Sequence, residues 1–412
     1  MLGKLKPLAL AAAAASLCLA GGAASAKVEG DTIVLGAAVS VTGKYSTNGK
    51  HTMNGYNLAI ETINAAGGVE VAGKTYKLEI VYYDDESTPA RGAQLAERLI
   101  SQDGIKFLLG PYSSGLTKAI APVTEKYGIP MVEGNGASRS LFTQGYKYLF
   151  AVLSTSEQYL AGAISLAAEK ATAEGRKPQD LTVALAFEND PFSQDVRAGV
   201  IDDASTFGMR VVIDDKLPKE LNDMSATLTK VKAVKPDILV ISGHSKGAAT
   251  AIKQIADMKV DVPILALTHC EAADVIGKFG AKADYTLCAT QWAETMSYSD
   301  DLFGSAADYA KTFEAKFGYV PPYQAAESSA SVQTFVDAFQ RAGSFETDAV
   351  RDALAATDME TFYGNIKFDE SGKNIAKPMA LRQVQNGSLV VVAPTKWAAA
   401  EMIYPRPKWS DR

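Results

Sequence analysis

From residue 32 onward the chain alternates apolar runs of strand length with longer amphipathic stretches, and this alternation limits its fold more than any other feature. Residues 32–38 (TIVLGAA) read as a buried strand, and Met53, Tyr56, Leu58, Ile60 and Ile63 mark a helix that stops at Gly67-Gly68. A strand at 77–84, a helix opening at Thr88-Pro89, a strand at 107–109, a helix to Tyr127 and a strand at 129–132 follow. Such an order gives a parallel sheet with helices on both faces, and ligands at the carboxyl ends of its strands. The pattern restarts after 147–153, with a long helix at 156–174 and strands at 181–187, 210–216, 238–242, 263–266 and 285–289. From Asp301 the tail reads as three helices and then short strands at 364–368, 378–385 and 388–392. A chain of 412 residues is too long for one ordinary core. The expected fold class is therefore α/β, with two doubly wound parallel-sheet lobes joined by a multi-crossing hinge. Lobe 1 is expected at 27–152 plus 290–375, and lobe 2 at 153–289 plus 376–412.

The first 26 residues are a separate matter. Lys4 and Lys6 precede an apolar, alanine-rich run that ends in Ala24-Ser25-Ala26. That is the pattern of a cleaved signal peptide, and the run is shorter than the roughly 18–20 apolar residues of a membrane span. Cys18 raises a lipoprotein alternative, but the bulky Leu17 before it argues against one. Export from the cytoplasm is the expectation. Loss of Lys4 and Lys6 takes the formal charge from −6 to −8, with no basic tract left. Nucleic acid and direct membrane insertion are not expected. Cys270 and Cys288 are then the only cysteines, and an oxidising compartment favours a bond between them over two buried thiols.

The turn Gly110-Pro111-Tyr112-Ser113-Ser114 lies between a strand and a helix start. It gathers unpaired backbone N–H groups and two small hydroxyls where the helix dipole is positive, which suits an anion such as a carboxylate. A P-loop is excluded because the lysine that would reach the phosphates is missing. Gly243-His244-Ser245-Lys246-Gly247 matches the nucleophile-elbow pattern, and a secreted serine hydrolase using Ser245 is the alternative function. Its triad would have to come from His269 and Asp257 or Asp261, which are too near in sequence to converge as in a hydrolase. A turn lining a binding cleft is the preferred reading. His244 and His269 lie just past strand ends, yet no third ligand has suitable spacing, so no metal and no cofactor are expected. Tyr112, Phe192, Trp292 and Tyr323 sit in strand-end loops and suit a pocket that stacks on an apolar or aromatic solute.

With these residues in view, the chain resembles the periplasmic solute-binding proteins of ABC transporters, in the leucine/isoleucine/valine-binding branch of the type I periplasmic binding protein fold. The resemblance covers 32–392 and rests on motifs in a fixed order. These are Gly36-Ala-Ala-Val-Ser-Val-Thr-Gly43, Asn54-Gly55, Ile63-Asn-Ala-Ala-Gly-Gly68, Tyr83-Asp84-Asp85, Gly110-Pro-Tyr-Ser-Ser-Gly115 and Asn189-Asp-Pro-Phe-Ser193. The resemblance implies a binder rather than an enzyme, delivering a small carboxylate-bearing solute to a membrane permease. It implies that Tyr112, Ser113 and above all Ser114 hold the carboxylate, with backbone groups of Asn135, Gly136 and Ala137. Phe192 falls where the family usually has a tyrosine, and His244 where a second aromatic faces the cleft. The loop at His269 corresponds to the acid that pairs with an amino acid's ammonium group. Here the nearest acid is Glu271, which brings aromatic acids into contention beside branched-chain amino acids. Tyr323 completes the implied ligand set. A sensor ectodomain of similar fold is set aside because no spanning helix follows Arg412.

Overall fold

The strand Thr32–Val39 is buried along nearly its whole length, as a run without polar alternation requires. In the computed structural model, which describes residues 28–412, it forms the middle of the first sheet. The expected leader at 1–26, with Cys18, lies outside the described residues. The sheet runs Val69–Val71, Lys74–Asp84, Thr32–Val39, Leu108–Leu109, Met131–Glu133, Leu149–Ala151, with Val28–Glu29 antiparallel beside Thr32–Val39. Only the Val69–Val71 to Lys74–Asp84 hairpin and the Val28–Glu29 pairing are antiparallel. The second sheet runs Ser388–Ala393, Ala380–Gln385, Thr286–Thr290, Ile264–Leu267, Ile238–Ser242, Thr182–Glu188, Arg210–Leu217. Its last five strands are parallel, and the two from the tail return antiparallel. A lobe surrounds each sheet, as an α/β chain with restarting periodicity predicts.

The tail helix Tyr323–Ala342 packs on the first lobe, against the helix Ser46–Ala65. Gly55 permits their close approach: a Cβ there would lie 2.2 Å from the Ala325 carbonyl oxygen, and the Ser329 hydroxyl donates to the Gly55 carbonyl at 2.7 Å. The chain crosses between the sheets three times, and the crossings meet at Ser154, Gln291 and Lys377. The Gln291 carboxamide accepts from the Ser154 N–H and donates to its carbonyl, both at 3.0 Å. Ser154 Oγ donates to the Lys377 carbonyl at 2.5 Å, and Lys377 Nζ to the Gln291 carbonyl at 2.6 Å. Cys270 and Cys288 are joined in a disulfide, with Cα atoms 5.7 Å apart.

One expected element differs. The helix predicted over 156–174 is a 3-10 turn, Ser156–Gln158, followed by the helix Ala161–Ala173. Ser156 N–H donates to the Ala137 carbonyl of the first lobe at 2.7 Å, which holds the chain out of helical register at the crossing. The turn after Leu108–Leu109 is fixed from two sides. Tyr56 Oη donates to the Gly110 carbonyl at 2.9 Å, and a Cβ on Gly110 would lie 2.1 Å from Glu133 Cβ. Gly110→Ala should therefore overpack the two strand ends and lower stability by about 1–3 kcal/mol, measured by urea denaturation.

Candidate functional site

The strand ends of both sheets converge on a narrow cleft with almost no free interior space. On the first-lobe side the helix Ser114–Tyr127 begins at its N-cap residue Ser113, whose hydroxyl makes no capping bond. Ser113 Oγ is buried and unpartnered. Ser114 Oγ accepts the Ser138 N–H at 3.0 Å, which leaves its own proton to donate into the cleft. Tyr112 stands at the centre. Its hydroxyl lies 2.7 Å from His244 Nδ1 and 2.9 Å from His269 Nε2, so one phenol joins both lobes.

The second lobe supplies Phe192, His244 and His269 from three neighbouring strand ends. Phe192 lies edge-on to Tyr159 and His269, with ring centroids 5.0 and 5.1 Å away. His269 has φ of +60°, a left-handed conformation uncommon for a side chain of this size and usually maintained at functional turns. Burial, reinforced by the neighbouring His244, pulls its imidazole down to about 3, so it is neutral. The tail helix adds Tyr323, Gln324 and Glu327 along one face. Tyr323 Oη and both amide atoms of Gln324 are buried without partners. Glu327 is held well above the usual carboxyl range by burial and by the negative charge of Glu133.

Of the residues expected from sequence, Tyr112, Ser113, Ser114, Asn135, Ala137, Phe192, His244, His269 and Tyr323 all line this cleft. Gly136 lies behind it. The N–H groups of Asn135 and Gly136 both donate to Glu133 Oε2, the former at 2.8 Å, and so are not free for a solute. Glu271 is not brought to the cleft. It accepts from Arg382 Nη1 at 3.3 Å and lines a separate, larger groove with Lys50 and Lys278. Trp292 also departs from expectation: it is fully buried, with its indole N–H donating to the Phe362 carbonyl at 3.0 Å. Tyr159, Gln324 and Glu327 were not anticipated. Gln324 follows Tyr323 directly, and Glu327 is one helical turn beyond it, so an i, i+4 reading from Tyr323 reaches the acid.

The nucleophile-elbow turn is engaged otherwise. Ser245 Oγ donates to Asn48 Oδ1 across the cleft at 2.5 Å, while both histidines face the Tyr112 hydroxyl. Beside that turn, Glu188, Asp190 and His244 bring three potential ligand atoms within 4.8 Å of one another.

The family pattern described as "Periplasmic binding protein" matches residues 32–388. The chain is 25% identical over 391 residues to Leu/Ile/Val-binding protein homolog 8 of Brucella abortus (strain 2308), covering 91% of this chain and 93% of that protein. Among solved structures it superposes on the branched-chain amino acid transporter substrate binding protein LivJ from Streptococcus pneumoniae, in complex with isoleucine. That match has a TM-score of 0.74 and 23% identity over 88% of this chain and 100% of the other. A solute binding protein of an ABC transporter from Rhodopseudomonas palustris BisB5, in complex with 3,4-dihydroxy benzoic acid, gives a TM-score of 0.75 and 20% identity. It covers 91% of this chain and 99% of the other.

Two expectations follow. Tyr112→Phe removes both phenol–imidazole contacts, about 1–3 kcal/mol of inter-lobe interaction, and should shift the solute-free protein toward an open form. Small-angle scattering would record this as a larger radius of gyration. The second concerns Glu133, which burial raises from its ordinary 4.5 to about 7 against the pull of the Gly136 and Asn135 N–H groups. Its folded state holds the proton more tightly than its unfolded state, so its contribution is intact below pH about 4.5 and is lost as pH rises to about 7. Glu133→Gln should remove that loss, a difference on the order of 3 kcal/mol above pH 7, read by denaturation across pH.

Proposed function

Given that this chain belongs to the periplasmic binding protein family, we propose that it is the substrate-binding component of an ABC importer. It captures a small carboxylate-bearing solute between its lobes and delivers it to a membrane permease. The observation that carries this reading is the pairing of polar groups without partners, Ser113 Oγ on one wall and Tyr323 Oη and the Gln324 amide on another. Buried polar atoms are normally satisfied, so such a set favours a solute that satisfies them on closure. Ser114 donates its hydroxyl proton to the carboxylate, with the helix N-terminus behind it. Closure of two lobes over a solute then presents one combined face to the permease. Among the described residues no helix is long and apolar enough to cross a membrane.

The solute favoured here is an aromatic acid with a second polar substituent. Phe192, Tyr159 and His269 offer ring contacts, while Gln324 and Tyr323 offer hydrogen bonds at a distance from the carboxylate turn. The bound 3,4-dihydroxy benzoic acid of the Rhodopseudomonas palustris protein supports this class. The second reading is a branched-chain amino acid, as bound by the Streptococcus pneumoniae protein, with Glu327 ionising to meet the ammonium group in place of Glu271.

Scanning fluorimetry against benzoate, hydroxylated benzoates, leucine and isoleucine decides between them, because a solute well above its Kd raises Tm by several degrees. Stabilisation by hydroxylated benzoates alone supports the first reading, and stabilisation by the amino acids supports the second. No shift from any carboxylate defeats both. Ser114→Ala should weaken the stabilising solute by about 1–3 kcal/mol in calorimetry, the loss of one charge-assisted hydrogen bond.

A further inference from the structure

The Gly243-His244-Ser245-Lys246-Gly247 turn has a structural reason of its own. A Cβ at Gly243 would lie 2.6 Å from Glu188 Oε1, and one at Gly247 would lie 2.5 Å from it. The two glycines therefore form a seat for a carboxylate. Parallel pairing of Ile238–Ser242 with Thr182–Glu188 aligns Ser242 with Phe187, so the residues at and just past the ends of both strands meet over this seat. They are Glu188, Asp190 and His244, only 3%, 7% and 5% exposed.

Asp190 and His244 each have one atom already committed and another left over. Asp190 Oδ1 accepts the Ser193 N–H at 3.1 Å as the helix cap, but Asp190 Oδ2 has no hydrogen-bond partner. His244 Nδ1 is taken by the Tyr112 hydroxyl, but His244 Nε2 has no hydrogen-bond partner. The two free atoms face each other at 3.6 Å, too far for a hydrogen bond. That gap is close to the edge of a tetrahedron with bonds of about 2.1 Å to a central ion.

We propose that Glu188, Asp190 and His244 bind a divalent first-row transition ion, of the zinc or manganese class, at the rim of the cleft. One imidazole nitrogen with two carboxylate oxygens suits these ions, whereas calcium and magnesium favour oxygen alone. The second shell also fits. A metal-bound imidazole donates its other N–H to an oxygen, and Tyr112 Oη stands 2.7 Å from Nδ1 to accept it. Two carboxylates offset the ion's double charge. All three proposed ligands belong to the second lobe, and the site does not depend on the identity of the solute.

The test uses the secreted chain after treatment with a chelator, titrated with zinc chloride in calorimetry and scanning fluorimetry without any solute. One equivalent should bind, with a rise in Tm, and excess magnesium should not compete. Glu188→Gln and Asp190→Asn should each weaken zinc binding at least tenfold. No saturable binding, or binding unchanged in both variants, would overturn the proposal in favour of a plain Asp190–His244 ion pair. Should a variant fail to fold, wild-type crystals soaked in zinc supply the second arm. An anomalous peak within bonding distance of all three side chains upholds the site, and its absence there refutes it.

Discussion

The cleft depends on three crossings that are bonded to one another rather than merely adjacent. Gln291 is suited to this because its carboxamide carries a donor and an acceptor, and so pairs with the backbone of Ser154 as another strand would. Lys377 closes the ring through its amine and its own carbonyl. The ring ties the three crossings into one hydrogen-bonded unit between the sheets. That geometry explains how contacts far from the hinge fall into register: Tyr112 between two histidines, Ser245 on Asn48, Ser138 on Asp195. Each joins residues of different lobes, and none could form at an arbitrary lobe angle.

The charge state of the cleft follows from the same packing. Burial raises Glu133 and Glu327 and lowers Lys377 to about 7, so the hinge side of the cleft is close to neutral at ordinary pH. Neutral acids tolerate a carboxylate nearby, because no like-charge repulsion sets in until they ionise. An ammonium group beside Glu327 would do the reverse and favour its ionised form. On the proposed function, capture of an ammonium-bearing solute would therefore be coupled to loss of the Glu327 proton, whereas capture of an anion would not.

The alternation of strands and helices was legible because its cause is local: periodicity sets each element, and element order sets the sheets. The carboxyl strand ends are legible for the same reason, and they bring Tyr112, Phe192, His244 and His269 into one cleft. The failures were non-local. Glu271 was chosen for its closeness in sequence to His269, but the left-handed turn at His269 redirects the chain, and Arg382, 111 positions away, captures the carboxylate. Trp292 sits at a strand end like the pocket aromatics, yet it is packed against Phe362 from the tail hairpin. No periodicity reports which distant segment will cover a strand end.

The Gly-x-Ser-x-Gly turn shows where motif reading stops. In either a hydrolase or a binder, the glycines between strand and helix mean that something must come close to the backbone. Sequence supplies the two glycines but not the group they admit. Here that group is the carboxylate of Glu188, delivered by the neighbouring strand, while the serine reaches into the opposite lobe. The same holds for clusters of potential ligands: spacing along the chain from the histidines reaches only Cys270 and Glu271, whereas parallel strands bring their ends together sideways. Side chains some 55 residues apart, such as Glu188 and His244, are neighbours because the register of two strands makes them so. In a doubly wound sheet, chemistry at a strand end is read across the strand order, from one carboxyl end to the next.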